Sequence, residues 1–334
     1  MKKIIFLAAV AATGSAFAQV TVYGKADLGV SSATTTGAVN QGLQLVGGGY
    51  EGMRLGFKGS KDLGGGVTGS FQLEKGVTLA GLEGAGFNRV ASLSISSSMG
   101  TVGLGRQWTP YDNAFGTGDA MEYNGFSASN LAMYSGRHGD NGATGAGNAL
   151  AMQYSSPVMG GFQAFVMYAP NADASATQSN TAYNGYGLNY ASGPLTINFA
   201  GERVLNTVHN GATAAVGYTN AYVFSATYDM GAAKLYGHYE SAQAENVGAD
   251  NGFGLGVKVP MGNAYVTVGF ATEDSKLSNA TASSAANAWG AQYIYNWTKE
   301  AVVYVGYKSL STTPAGGGTV TTSNTLASGV RYNF

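Results

Sequence analysis

The feature that most constrains this chain is a two-residue alternation that returns along nearly its whole length. In Val20-Thr-Val-Tyr-Gly-Lys-Ala-Asp-Leu28, the side chains of Val20, Val22, Ala26 and Leu28 share one face, and Thr21, Tyr23, Lys25 and Asp27 share the other. A helix repeats near 3.6 residues and a strand at 2, so this is a strand with one apolar and one polar face. Met53, Leu55 and Phe57 alternate in the same way with Arg54 and Lys58. Phe253, Leu255, Val257 and Val259 alternate with glycines and Lys258, and Leu326, Val330, Tyr332 and Phe334 with Gly329, Arg331 and Asn333. About sixteen such segments can be counted, each near the ~10 residues that cross a membrane as a tilted strand.

The connections alternate too. Short turns fall at Lys61–Gly65, Ser97–Gly100, Pro157–Gly161, Ser192–Pro194, Asp229–Ala232, Pro260–Asn263 and Asn296–Glu300. Between them lie longer polar stretches, such as Ser31–Gly49, Asn171–Thr181, Glu202–Ala215 and Ser309–Thr322. Short turns at one rim and long loops at the other mark an outer-membrane barrel. Tyr293, Tyr295 and Trp297 cluster near a strand end, as an interfacial girdle requires. A soluble β-sandwich also alternates, but it turns its apolar face inward and a charged face to water. Here the polar face is small and Gly-rich, as suits a lumen, and closure leaves no strand edge unpaired in lipid.

Composition narrows the alternatives. Charged residues make up 10% of the chain, too few for a disordered polyelectrolyte. The 52 glycines follow no three-residue repeat, so the chain is not collagen-like, and the absence of cysteine removes disulfides and thiol chemistry. Met1-Lys2-Lys3, the apolar run Ile4–Ala12 and the motif Ala16-Phe17-Ala18 have the order of a secretory signal peptide. The expected organisation is therefore a signal peptide over 1–18 and one transmembrane β-barrel over 19–334. No later segment offers the ~18 continuous apolar residues of a membrane helix. Without Lys2 and Lys3 the 17 basic residues become 15 against 18 acidic, and net charge moves from -1 to -3; neither value is a nucleic-acid footprint.

One stretch breaks the pattern. Arg106 to Gly147 runs for about forty residues with no sustained period, an uncommon length for a structureless loop unless it is functional or disordered. Tyr111, Phe115, Tyr123, Phe126 and Tyr134 stand there among Asp112, Asp119, Glu122, Arg137, His138 and Asp140. Aromatic anchors among charges fit a loop that folds into the barrel and narrows it. His138 and Asp140 flank Gly139, but no His-x-x-x-His spacing or nucleophile partner accompanies them, so no metal, cofactor or acid–base site is expected. Gly47-Gly-Gly-Tyr-Glu-Gly52 and Gly64-Gly-Gly-Val-Thr-Gly69 fit G-x-G-x-x-G, yet each leads into a strand rather than a helix, so the dinucleotide reading fails. Lys25 and Asp27, two apart on one face, are placed to pair with each other.

The chain resembles the general trimeric porins of Gram-negative outer membranes, nearest the β-proteobacterial branch. The resemblance rests on Val20-Thr-Val-Tyr-Gly24, Arg54-Leu-Gly-Phe-Lys-Gly-Ser-Lys-Asp-Leu-Gly-Gly-Gly66, Phe71-Gln-Leu-Glu74, Phe87-Asn-Arg89, Gly100-Thr-Val-Gly-Leu-Gly-Arg-Gln107, Tyr154-Ser-Ser-Pro157 and Gly329-Val-Arg-Tyr-Asn-Phe334. It implies an all-β barrel of about sixteen antiparallel strands, a third loop folded into the lumen, and a homotrimer. It implies passive diffusion of ions and small hydrophilic solutes, not catalysis; a substrate-selective channel is the nearer alternative, a barrel enzyme the farther. Implied partners are outer-membrane lipid and lipopolysaccharide and the barrel-assembly machinery, with no cofactor and no nucleic acid. The basic wall of the constriction maps to Arg54, Arg106 and Lys58, and the acidic side to Glu74, Asp112, Asp119 and Glu122. Tyr332 and Phe334 match the closing assembly signal. Related porins often carry an Arg where this chain has Gly147. Strict alternation also puts Arg89 and Arg106 on the apolar parity, so either a bulge re-aims them or they face a neighbouring subunit.

Overall fold

A computed structural model describes residues 19–83, 86–132, 148–169, 182–209, 212–245, 248–277 and 284–334. The first half of the chain forms β1 (Gln19–Thr35), β2 (Gln41–Gly47), β3 (Arg54–Gly64), β4 (Val67–Thr78), β5 (Gly81–Leu82), β6 (Val90–Ser97) and β7 (Gly100–Trp108). Two short helices follow, α1 (Pro110–Gly118) and α2 (Ala128–Ala132), then β8 (Asn148–Ser155), β9 (Phe162–Ala169) and β10 (Tyr183–Ser192). The rest is β11 (Leu195–His209), β12 (Ala212–Asp229), β13 (Lys234–Ala244), β14 (Gly248–Met261), β15 (Ala264–Leu277), β16 (Ser284–Asn296), β17 (Ala301–Thr313) and β18 (Thr321–Asn333).

Every wall strand pairs antiparallel with its neighbours, and β18 returns to β1. β2 and β3 both pair with β1, at successive stretches of it, so they are two halves of one wall strand. β5 is a two-residue ribbon on β4. The wall is therefore a closed barrel of 16 strands. Closure satisfies every strand edge, which lipid cannot do. The seam runs from Lys25 opposite Asn333 to Thr35 opposite Ser323, and Gly24 and Phe334 exchange backbone hydrogen bonds of 2.9 and 3.1 Å beyond it.

Alternation sorts the two faces as the sequence leads one to expect. Leu255 and Val268 are 59% and 44% exposed, and Phe224, Tyr239, Tyr293 and Tyr295 share their outward parity. The opposite parity is polar and covered: Ser225, His238, Glu240, Thr267 and Gln292 are buried. The sheet extends further than its apolar pattern does. The polar stretch over Glu202–Ala215 is mostly hairpin, with β11 reaching His209 and β12 starting at Ala212. Likewise β1 runs to Thr35 and β17 to Thr313. Backbone pairing continues beyond the apolar band, where nothing selects an apolar face, so the alternation fades while the strand does not.

Candidate functional site

The stretch after β7 is not structureless. Thr109 caps α1 by accepting the Asp112 N–H at 3.0 Å, and Pro110 stands at the first helical position, where its missing N–H costs nothing. α1 packs on β9 to β13 and α2 on β14 to β17. The segment lies on the concave face of the wall. Tyr50, between β2 and β3, and Tyr265, on β15, bring their hydroxyls to 2.8 Å. Those strands stand five steps apart, roughly 24 Å along the sheet, and side chains that far round the wall meet only across the interior.

Apolar burial holds the segment in place. Tyr111, Phe115 and Phe126 are almost wholly buried, Tyr111 and Phe115 against Ala200, Ala221 and Val223, and Phe126 against Ile294, Val302 and Tyr304. At about 1.5–3 kcal/mol for each large apolar side chain, these anchors contribute several kcal/mol, as an upper estimate. Polar ties fix the register. The Tyr111 hydroxyl donates to Glu240 at 2.9 Å, Ser225 donates to the Ala114 carbonyl at 2.6 Å, and Asn124 donates to Gln292 at 2.8 Å. Burial, with the charges of Glu240 and Glu202 nearby, pushes the Tyr111 hydroxyl up, so it remains a donor at neutral pH. Glycine on the wall makes the close approach possible: at Gly290 the Phe126 carbonyl oxygen stands where a Cβ would be.

The three loop acids are used differently. Asp119 is buried, and its carboxylate accepts from the Met121 N–H (3.0 Å), the Tyr123 N–H (2.8 Å) and the Ser127 hydroxyl (2.6 Å). It shapes the turn at Glu122 and Tyr123, whose φ values of 52° and 60° are left-handed. Asp112 is also buried, and its carbonyl accepts from the Tyr123 hydroxyl at 2.8 Å. Glu122 alone of the three is solvent-exposed, 3.5 Å from Lys258 on β14. Lys258 in turn lies over the Tyr265 ring at 4.2 Å.

The opposite side of the lumen is built by β1, β3, β4 and β18. Glu74 is buried, and its Oε1 receives Arg89 at 2.6 Å and faces Arg54 at 3.6 Å. Tyr23, lying across Gly56, donates to Glu74 Oε2 at 3.0 Å and accepts from Gln72 at 2.7 Å. Lys58 is exposed, 5.1 Å from the centre of the Tyr23 ring. Arg89 settles its own ambiguity. It precedes β6, where alternation does not yet apply, and its guanidinium turns onto an inner-face acid. Arg106 is half-buried in unbroken register opposite Ala91 and Leu150, on the backbone parity of outward-facing Leu104. Tyr332 and Phe334 stand half-exposed at the seam.

Lys25 and Asp27 do not pair with each other. Lys25 binds Glu51, while Asp27 accepts the Tyr50 and Glu51 N–H groups at 2.8 and 2.5 Å and the Tyr304 hydroxyl at 2.7 Å. Glu51, Tyr50 and Arg331, with Glu51–Arg331 at 2.9 Å, were not singled out from sequence as site residues. The signal was present in Gly47-Gly-Gly-Tyr-Glu-Gly52, since a glycine cluster within a strand marks a break or close backbone approach. Among the described residues no group of three or more His, Cys, Asp or Glu side chains is arranged to hold a metal ion. His238 packs its ring 4.5 Å from that of Phe115. Tyr134, Arg137, His138, Asp140 and Gly147 lie outside the described residues, as do residues 1–18.

Known proteins share both the sequence pattern and the architecture. The Gram-negative porin family matches residues 6–315. Outer membrane porin protein 32 of Delftia acidovorans is 29% identical over 323 residues, covering 91% of this chain and 87% of the relative. A major outer membrane protein P.IB of Neisseria gonorrhoeae is 30% identical over 204 residues, 60% of this chain and 56% of its own. Among solved structures, the anion-selective porin from Comamonas acidovorans superposes with a TM-score of 0.80 at 23% identity, covering 95% of this chain and all (100%) of that one. A Salmonella typhi OmpF complex with daunomycin gives 0.72 at 18% identity, with 95% and 98% covered. A sealed wall that is apolar outside and polar within is what a water-filled passage through lipid requires, and with the family pattern matched along nearly the whole chain, this protein belongs to the Gram-negative porins, forming a diffusion channel in the outer membrane.

Proposed function

We propose that the channel prefers anions and is narrowest between the β1–β3–β4 wall and the loop segment carrying α1 and α2. The carrying observation is the bracketing of Glu74 by two guanidinium groups, Arg54 and Arg89, with Lys58 exposed beside them. On the loop side, Asp119 spends its carboxylate on the loop's own turn and Asp112 is buried, while Glu122 stands against Lys258. Of the basic positions, Arg54, Arg89 and Lys58 supply this reading, rather than Arg106. A positive arc in a narrow, low-dielectric passage attracts anions and retards cations. The anion selectivity of the Comamonas acidovorans porin accords with it.

The working form is a homotrimer, as in the trimer form of the Vibrio cholerae OmpT structure, which shares the fold at a TM-score of 0.70. The outward face supports one side as the subunit contact. On β1, β6 and β7 the exposed large apolar side chains are aliphatic, Val20, Val22, Leu28, Leu93, Ile95, Val102 and Leu104, whereas β9 to β16 carry exposed aromatic rings such as Tyr168, Phe224 and Trp289. Interfacial aromatics belong where a wall meets lipid headgroups, and the arc without them suits protein. Residues 1–18 act as the signal peptide, and Tyr332 and Phe334 act as the assembly signal. Purified trimer in a planar bilayer under a tenfold KCl gradient tests the selectivity: the reversal potential should take the sign of anion preference, and a cation-side potential would overturn the reading.

A further inference from the structure

The wall has a second inward fold, separate from the loop. Between β2 and β3, residues 48–53 leave the sheet. Asp27 on β1 makes this possible by accepting the N–H groups of Tyr50 and Glu51, which no neighbouring strand receives. The Tyr304 hydroxyl from β17 fixes the other carboxylate oxygen. So held, Tyr50 reaches Tyr265, and its carbonyl accepts the Gly125 N–H of the loop at 2.7 Å. Gly125 permits this approach, since a Cβ there would meet the Gly49 carbonyl. The break is thus a docking point for the loop, and it places the Glu51 carboxylate between Lys25 of β1 and Arg331 of β18.

We propose that Glu51 is a specificity-determining residue of the channel: by pairing with Lys25 and Arg331 it masks two basic groups of the inner wall and so limits the channel's anion preference. A break needing only a backbone cap would be complete with Asp27. Glu51 adds a charge that the cap does not use, and it draws cations from two different strands. All three side chains keep partial access to the lumen, with 28%, 18% and 13% of the Lys25, Glu51 and Arg331 side chains exposed. Their field therefore reaches a passing ion. The Arg331 guanidinium also lies 5.3 Å from the centre of the Tyr50 ring, which holds it at the break. With Lys25, Arg54, Lys58, Arg89 and Arg331 set against Asp27, Glu51 and Glu74, losing one carboxylate is a large fractional change in this arc.

This inference rests on the anion-preferring reading above, and the test keeps the two apart. Reversal potentials of purified trimers are measured in a KCl gradient for wild type, Arg54→Ala and Glu51→Gln. Glu51→Gln should raise the anion-to-cation permeability ratio about threefold at low salt and much less at 1 M salt, where charges are screened within about 3 Å. An unchanged ratio in Glu51→Gln while Arg54→Ala moves it would overturn this role for Glu51 and leave the wider reading standing. A rise in Glu51→Gln with no effect of Arg54→Ala would support Glu51 and overturn the placement of the constriction at Arg54. Should Glu51→Gln fail to assemble, Lys25→Met decides: it leaves Glu51 with Arg331 alone, so the ratio must fall, and a ratio equal to wild type would overturn the proposal.

Discussion

Glu74→Gln changes one charge and almost no volume, so it isolates the electrostatic part of the channel. In the native protein Glu74 carries one negative charge against the guanidinium groups of Arg54 and Arg89. An ion passing about 7 Å away in a water-like dielectric feels about 0.6 kcal/mol from a unit charge. At 0.1 M salt the screening length of about 10 Å halves this to about 0.3 kcal/mol. The effect has opposite sign for anion and cation, so their difference is about 0.6 kcal/mol, or about threefold in permeability ratio. Glu74→Gln should therefore raise the anion-to-cation ratio about threefold in 0.1 M KCl and only about 1.2-fold at 1 M, where the screening length is about 3 Å. Arg54→Ala should lower it by a similar factor. The assay is the reversal potential of folded trimers in a salt gradient, with heat-modifiable mobility on a gel as the folding control. Gln keeps one carbonyl oxygen to accept from Arg89, and its NH2 can donate to the Tyr23 hydroxyl in place of the bond that hydroxyl now donates, so folding should be preserved. A properly folded Glu74→Gln trimer whose ratio equals wild type at low salt would refute the reasoning, because it would place Glu74 out of reach of the permeating ion.

Two further tests address the wall. Deleting Tyr332 to Phe334 removes the end of β18 that closes on β1, together with the Gly24–Phe334 hydrogen bonds, and should lower the yield of heat-modifiable trimer in the outer membrane; wild-type yield would count against the seam. Leu255→Arg puts a charge on an outward position and should cost about 2–4 kcal/mol near the bilayer midplane, read as lost folding yield in lipid. Lys258→Ala, on the inner parity beside Glu122, should be mild, and equal tolerance of both changes would contradict the face assignment.

Much of the wall was legible because lipid and lumen impose opposite requirements on alternate residues. Leu255, Val268 and Tyr332 have outward parity for that reason, and Lys258 has inward parity. The pattern is lost where the hairpins leave the apolar band, which is why β11 and β12 extend beyond their expected ends. Inside the barrel, sequence reading could identify which residues face inward but not which partners they find there. Lys25 and Asp27 read as a local pair, yet their partners come from a strand break 23 to 26 residues away and from Tyr304 on β17. The aromatics of the loop were legible as anchors. Its helices were not, because α1 and α2 are too short to show a sustained period and owe their stability to the wall they rest on. Asp119 shows the limit most plainly: an acidic residue in a pore loop reads as pore charge, and only the folded loop shows its carboxylate taken up by backbone and hydroxyl donors.

The central claim is that the segment after β7, lying on the concave wall, obstructs the channel. Removing residues Gly116 to Gly145 and joining the ends with a short flexible linker leaves the sheet pairing of β7 with β8 intact, keeps Tyr111 and Phe115 on the wall, and takes away Phe126 and α2 with their wall contacts. Single-channel conductance of the folded trimer in 1 M KCl, where selectivity by charge is largely screened, reports the cross-section of the passage. The account predicts a clear rise in conductance over wild type, whereas wild-type conductance from a properly folded, shortened trimer would show that this segment is not the constriction.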